Sequence, residues 1–148
     1  MSKPTVYYTV GLPGSGKTTW AYQMQEKLCK RGEDKVVLVA MDDIRKVLNV
    51  QFNKDNEFLC RRIWASAIRG ALSLNYSVIV HDSNLNSNWI DTIKKIAENF
   101  QDVAVIEQSF LHVPLQTCIE RNSQRPDGER IPAGAIARMY EKWVMSKG

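Results

Sequence analysis

The chain has 148 residues, 44% of them hydrophobic and 24% charged, with a formal net charge of +4 and a pI near 9.0. That balance excludes a disordered chain, leans modestly toward polyanionic partners, and suits one domain, 1–148, able to bury about two-thirds of its unfolded surface. No run approaches the ~18 apolar residues of a membrane span, the start Met1-Ser2-Lys3-Pro4 lacks an apolar signal core, and Cys29, Cys60 and Cys118 form no C-x-x-C spacing. Buried free thiols, no membrane partner and a cytoplasmic location are expected.

Val6 to Leu12 predicts a buried strand, rich in residues that favour extended structure and ended at Gly11. Gly11-Leu12-Pro13-Gly14-Ser15-Gly16-Lys17-Thr18 then fits the phosphate-binding pattern G-x-x-x-x-G-K-[ST] without a mismatch. Its glycines let successive N–H groups converge on one anion. Lys17 is placed for the outer phosphates, Thr18 for a magnesium ion, and the following helix aims its positive end at the same point.

That helix is predicted from Lys17 to about Lys30, with Trp20, Ala21, Met24 and Leu28 on one face and Gly32 as the stop. Val36 to Ala40 reads as a strand, Asp43 to Leu48 as a short helix, and Asn49 to Asn56 as a polar loop. A longer amphipathic helix follows, with Leu59, Ile63, Trp64, Ala67 and Ile68 in its stripe. Lys54, Arg61, Arg62 and Arg69 fall mostly off it and read as a charged solvent face.

Ser77 to Val80 and Val103 to Leu111 are the remaining strands, separated by a helix carrying Trp89, Ile93, Ile96 and Phe100. Trp64 and Trp89 are assigned to the core. His81 and His112, beside strand ends without metal-ligand spacing, read as satisfied structural histidines. Pro114 opens a helix to about Asn122, residues 123–131 form an exposed loop, and Pro132 opens a final helix with Ile136, Met139, Tyr140 and Trp143 on one face. Strands alternating with helices predict an α/β fold with a parallel sheet, and ligands bind at the carboxyl ends of such strands.

The acidic residues sit at those ends. Asp42 and Asp43 follow one strand, Asp82 a second and the phosphate loop a third, so one edge collects them all. Phosphoryl transfer needs a phosphate cradle, a metal ion, a base for the attacking hydroxyl and cations for the transferring group. Either Asp42 or Asp43 offers the base; nearness to the strand tip favours Asp42, with Asp43 capping the helix that follows. Asp82 offers a magnesium site through water, or a cap. Arg121 and Arg125, four apart where a helix meets the polar loop, suit phosphate oxygens, as does Arg45 one turn beyond Asp42.

Four motifs in order carry a family resemblance: Gly11 to Trp20, then Met41-Asp42-Asp43-Ile44-Arg45, then Asp82-Ser83-Asn84-Leu85-Asn86, then Arg121-Asn122-Ser123-Gln124-Arg125. Over Val6 to about Trp143 the chain resembles the kinase domain of phage-type 5′-hydroxyl polynucleotide kinases. The resemblance implies a P-loop kinase three-layer sandwich, with a central parallel sheet of four to five strands, helices on both faces and a short lid at about 122–132. It implies that Pro13, Gly14, Ser15, Gly16, Lys17, Thr18 and Thr19 hold ATP, with Thr18 and, through water, Asp82 at Mg2+. Asp42 becomes the general base on the 5′-hydroxyl of RNA or DNA, and Arg45 the contact to the acceptor's 3′-phosphate. Asp82, Ser83 and Asn84 shape the acceptor site, Arg125 activates the γ-phosphate from the lid, and Arg121 assists the nucleotide.

Two departures stand out. Pro126-Asp127-Gly128-Glu129-Arg130 is more acidic than the lids of that family, and the aspartate motif of a 3′-phosphatase domain is missing from the sequence. A kinase is therefore expected, with any phosphatase or ligase on a separate chain. The alternatives are a small-molecule or nucleotide kinase of the same fold, and a nucleotide-dependent binding module or toxin-like switch.

Overall fold

The computed structural model describes residues 3–145. Strands β1 (Thr5–Val10), β2 (Val36–Val39), β3 (Ser77–Val80) and β4 (Ala104–Ser109) form one parallel sheet in the order β2-β3-β1-β4. Parallel neighbours require long crossovers, and helices supply them: α1 (Lys17–Lys30), α2 (Met41–Leu48), α3 (Lys54–Ser73), α4 (Ser87–Glu98), α5 (Leu115–Ser123) and α6 (Ala133–Met139). The α6 backbone runs on as a π-helical stretch, Tyr140–Val144.

Strand alternation divides the core into two layers. Tyr7, Val36, Leu38 and Ile79 face α1, where Ala21 and Leu28 close the smaller cluster. Val6, Tyr8, Val10, Val39, Val78 and Val80 face the other way, against Trp64, Ile68 and Leu72 of α3, Ile93 and Ile96 of α4, Cys118 of α5 and Ile136 of α6. Helices thus cover both faces of the sheet, giving the expected three-layer sandwich around four parallel strands.

Several boundaries depart from expectation for local reasons. α2 begins at Met41, two residues early, because the Asp82 carboxylate at the β3 tip accepts the Met41 N–H at 2.8 Å. This cap comes from a neighbouring strand, beyond the reach of local sequence rules. α3 begins at Lys54 because Asn53 accepts the Asn56 N–H at 2.9 Å, which shortens the expected polar loop. The loop after α5 contains a 3-10 turn, Asp127–Glu129. Among the cysteines, Cys60 and Cys118 are buried as expected but Cys29 is exposed.

Candidate active site

The phosphate loop leaves β1 and enters α1 through two left-handed residues, Gly14 (φ 84°) and Gly16 (φ 104°). A Cβ on Gly14 would lie 2.4 Å from the Cys118 carbonyl oxygen, so glycine is needed for close packing on α5 as well as for backbone freedom. Lys17 is buried and donates to the carbonyls of Gly11 at 3.0 Å and Leu12 at 2.6 Å. Burial, reinforced by the Arg125 charge, lowers its ammonium to about 8. A buried cation inside a ring of backbone and a buried Ser15 hydroxyl without a hydrogen bond among the described residues fit a polyanionic group.

The Asp82-Ser83-Asn84 motif fastens this loop to β3. The Gly11 N–H donates to the Ser83 carbonyl at 3.0 Å, and the Thr9 hydroxyl to the Asp82 carbonyl at 2.7 Å. Asn84 is buried in the left-handed region (φ 46°), which asparagine tolerates, and its amide donates to the Thr9 carbonyl at 2.9 Å. It shapes the strand tip from within. Both Asp82 carboxylate oxygens are engaged, one by Met41 N–H and the other by the Trp64 indole N–H at 2.8 Å. Burial pushes this carboxyl up, and those two donors oppose the shift.

Asp42 and Arg45 lie one turn apart on α2, joined at 2.6 Å from Nη1 to Oδ1. Asp42 is 84% exposed, free to meet a ligand from solvent. Arg45 is held from behind by Glu57 of α3 through a two-pronged contact, Nε to Oε2 at 2.7 Å and Nη2 to Oε1 at 2.6 Å. The sequence reading missed Glu57, since the pairing depends on how α2 crosses α3. Its hydrogen bonds to Arg45 hold the Glu57 carboxyl below its ordinary value. Glu57→Gln should therefore lower unfolding stability by about 1–2 kcal/mol near neutral pH. The deficit against wild type should begin to shrink as pH falls below the ordinary glutamate value of 4.5 and close only as pH passes through the lower value of folded Glu57, where wild type also loses that charge. Urea titrations at pH 7 and pH 4 check both parts; a gap that widens in acid contradicts the pairing.

Three expectations are corrected here. Asp43 does not cap α2: its Oδ2 lies 3.5 Å from His81 Nε2, an approach without hydrogen-bond geometry. His81 is buried as expected but only half satisfied: its Nδ1 lies 3.3 Å from the Thr18 hydroxyl, while its Nε2 has no hydrogen bond among the described residues. Together they place Asp43, His81 and Thr18 in one line beside the loop. Arg61 is not on the solvent face: its guanidinium lies 3.7 Å over the Trp89 ring and 4.9 Å from Trp64, with Nη1 buried and without a hydrogen bond among the described residues. The Arg61-x-x-Trp64 spacing was the available signal, since residues three apart on a helix are neighbours. Lys54, Arg62 and Arg69 are exposed as expected.

The end of α5 and the segment after it lie against the loop. Arg121 Nη1 donates to the Ser15 carbonyl at 3.3 Å, and Arg125 is close enough to Lys17 to lower its pKa. Asn122, buried, pins both ends of the segment by exchanging hydrogen bonds with the Ile131 backbone, at 2.5 Å and 3.1 Å. Glu129 in the 3-10 turn pairs with Lys46 of α2 at 2.9 Å. The acidic character that set this loop apart thus has a partner beside the Asp42–Arg45 pair. No helix among the described residues is long and apolar enough to cross a membrane.

Residues 6–143 match the family model of the AAA domain. The chain is 33% identical over 134 residues to the L-seryl-tRNA(Sec) kinase of Methanococcus maripaludis, covering 90% of this chain and 50% of that protein. It is 27% identical over 146 residues to the putative bifunctional polynucleotide kinase/RNA ligase of Autographa californica nuclear polyhedrosis virus, covering 91% of this chain and 20% of that one. It therefore spans half or less of the length of either relative. Its fold is shared with a chain of the Pnkp1/Rnl/Hen1 RNA repair complex, with a TM-score of 0.74 at 22% identity over 99% of this chain and 46% of that one.

Proposed function

We propose that this chain, which belongs to the AAA domain family and is a P-loop kinase akin to polynucleotide kinases, transfers the γ-phosphate of ATP to the 5′-hydroxyl end of RNA or DNA. The observation that carries the reading is the Asp42–Arg45 pair at 2.6 Å, braced by Glu57 and set on the helix that the β3-tip residue Asp82 caps. A carboxylate and a fixed guanidinium side by side suit a hydroxyl that carries a phosphate nearby on the same acceptor.

On this reading the backbone of Pro13 to Thr19 cradles the donor phosphates, and Lys17 turns from its loop carbonyls to the outer ones. The Thr18 hydroxyl and, through water, Asp82 would hold magnesium, which would supply positive charge at the phosphate oxygens. Asp42 takes the proton of the 5′-hydroxyl as the bond from that oxygen to the γ-phosphorus forms. The bond from phosphorus to the bridging oxygen breaks, and its electron pair leaves with ADP. Arg125, carried on the lid at about 122–132, neutralises charge on the group in flight, while Arg121 steadies the nucleotide. Asp82, Ser83 and Asn84 fix the strand tip on which the acceptor rests.

The test uses labelled ATP and two copies of one oligonucleotide, with a 5′-hydroxyl or a 5′-phosphate. Label on the hydroxyl form alone supports the reading; ATP consumed with neither form labelled overturns it. Similarity to a protein named as a seryl-tRNA kinase favours, as the second reading, a hydroxyl carried elsewhere on an RNA.

A further inference from the structure

We propose that Phe52 is a stacking platform for the acceptor's terminal base, so that this site takes a base-bearing nucleotide end and discriminates against a bare sugar hydroxyl. The inference rests on the reading of Asp42 and Arg45 as the acceptor half. Phe52 lies in the short connection between α2 and α3 and is 78% exposed, so core packing does not account for it. Its ring centre is 5.5 Å from the Arg45 Cζ, a cation–π distance.

Arg45 cannot follow a wandering ring, since Glu57 and Asp42 hold it with three hydrogen bonds. The aromatic face is thereby set beside one fixed point of the site. Three features stand in sequence across it: a carboxylate for a hydroxyl proton, a guanidinium for a phosphate, and an open π face. These match the sugar hydroxyl, the phosphate and the planar base of one nucleotide. A polyol, or a sugar without a base, has nothing to place against the third. Stacking on an aromatic side chain tolerates any base, so the platform requires a base without specifying its identity.

The experiment compares two oligonucleotides with 5′-hydroxyl ends that differ only in the terminal residue, adenosine or its abasic analogue. Wild type should phosphorylate the adenosine end with a kcat/KM about tenfold higher, the scale of one base–aromatic stack. Phe52→Ala and Phe52→Leu should reduce that ratio to about twofold or less, and Phe52→Trp should retain it. Phe58→Ala, at another exposed aromatic on α3, should leave the ratio as in wild type. Because Phe52 is exposed, the variants should melt with wild type, and a melt checks this. Equal use of the two ends by wild type, or full discrimination by Phe52→Ala, overturns the proposal while leaving the kinase reading standing. Neither end accepting label while ATP is consumed overturns the acceptor reading itself.

Discussion

Arg125→Ala should lower kcat by about 10^3-fold while changing the affinity for ATP only a few-fold, because a cation that meets the transferring group matters most in the transition state. Its setting supports that split. The Arg125 N–H bonds to the Asn122 carbonyl at 3.1 Å, and Asn122 clamps the two ends of the segment through Ile131, so the backbone at this point is fixed. The guanidinium lies near enough to Lys17 for the two charges to repel, a situation that an incoming polyanion relieves. Arg125→Lys should recover only part of the loss, since an ammonium lacks the planar fork. Steady-state kinetics with nucleotide binding measured separately checks the prediction. A selective loss of ATP binding, with kcat intact at saturation, contradicts a role in the transferring group's charge.

Asp42→Asn should lower kcat by about 10^2–10^4-fold, the range for removing a positioned general base, and leave ATP binding close to wild type. Asparagine keeps the shape and a carbonyl oxygen for Arg45, so α2 should stay in place. Asp43→Asn is the informative partner. Its carboxylate faces His81 and, beyond it, the Thr18 hydroxyl, so its loss should act on the donor side and raise the KM for ATP more than it lowers kcat. Opposite signatures for two adjacent aspartates would separate the acceptor from the donor half. A mild kcat effect for Asp42→Asn removes that residue from the base role.

The fold and the loop were legible because their signals are local. Glycine spacing, apolar strands ended by polar tips, and helical periodicity each operate within a few residues of sequence, and the parallel sheet then places the tips along one edge. The pieces that were not legible are contacts between elements. Glu57 meets Arg45 across a helix crossing, the Asp82 carboxylate caps a helix 41 residues earlier in the chain, and Thr18 meets His81 at a separation of 63. Helical periodicity placed Arg61 off the apolar stripe, which was true, but the same edge of α3 faces Trp89 of α4 rather than water. A one-helix pattern cannot register a neighbour on another helix. Asn122 escaped for a different reason: between Arg121 and the polar pair Ser123-Gln124, it read as one polar residue among many, whereas burial makes it the clamp of the segment that carries Arg125.

The proposed function requires the acceptor half of this site to take the 5′-hydroxyl end of a nucleic acid. One competition measures it: wild-type protein, labelled ATP and, at equal concentration in one vessel, RNA and DNA oligonucleotides of matched sequence with 5′-hydroxyl ends, a seryl-tRNA and a set of small hydroxyl acceptors. Label is expected at the 5′ ends of the oligonucleotides. Label confined to the seryl-tRNA or to the small acceptors, with the oligonucleotides untouched, would contradict it.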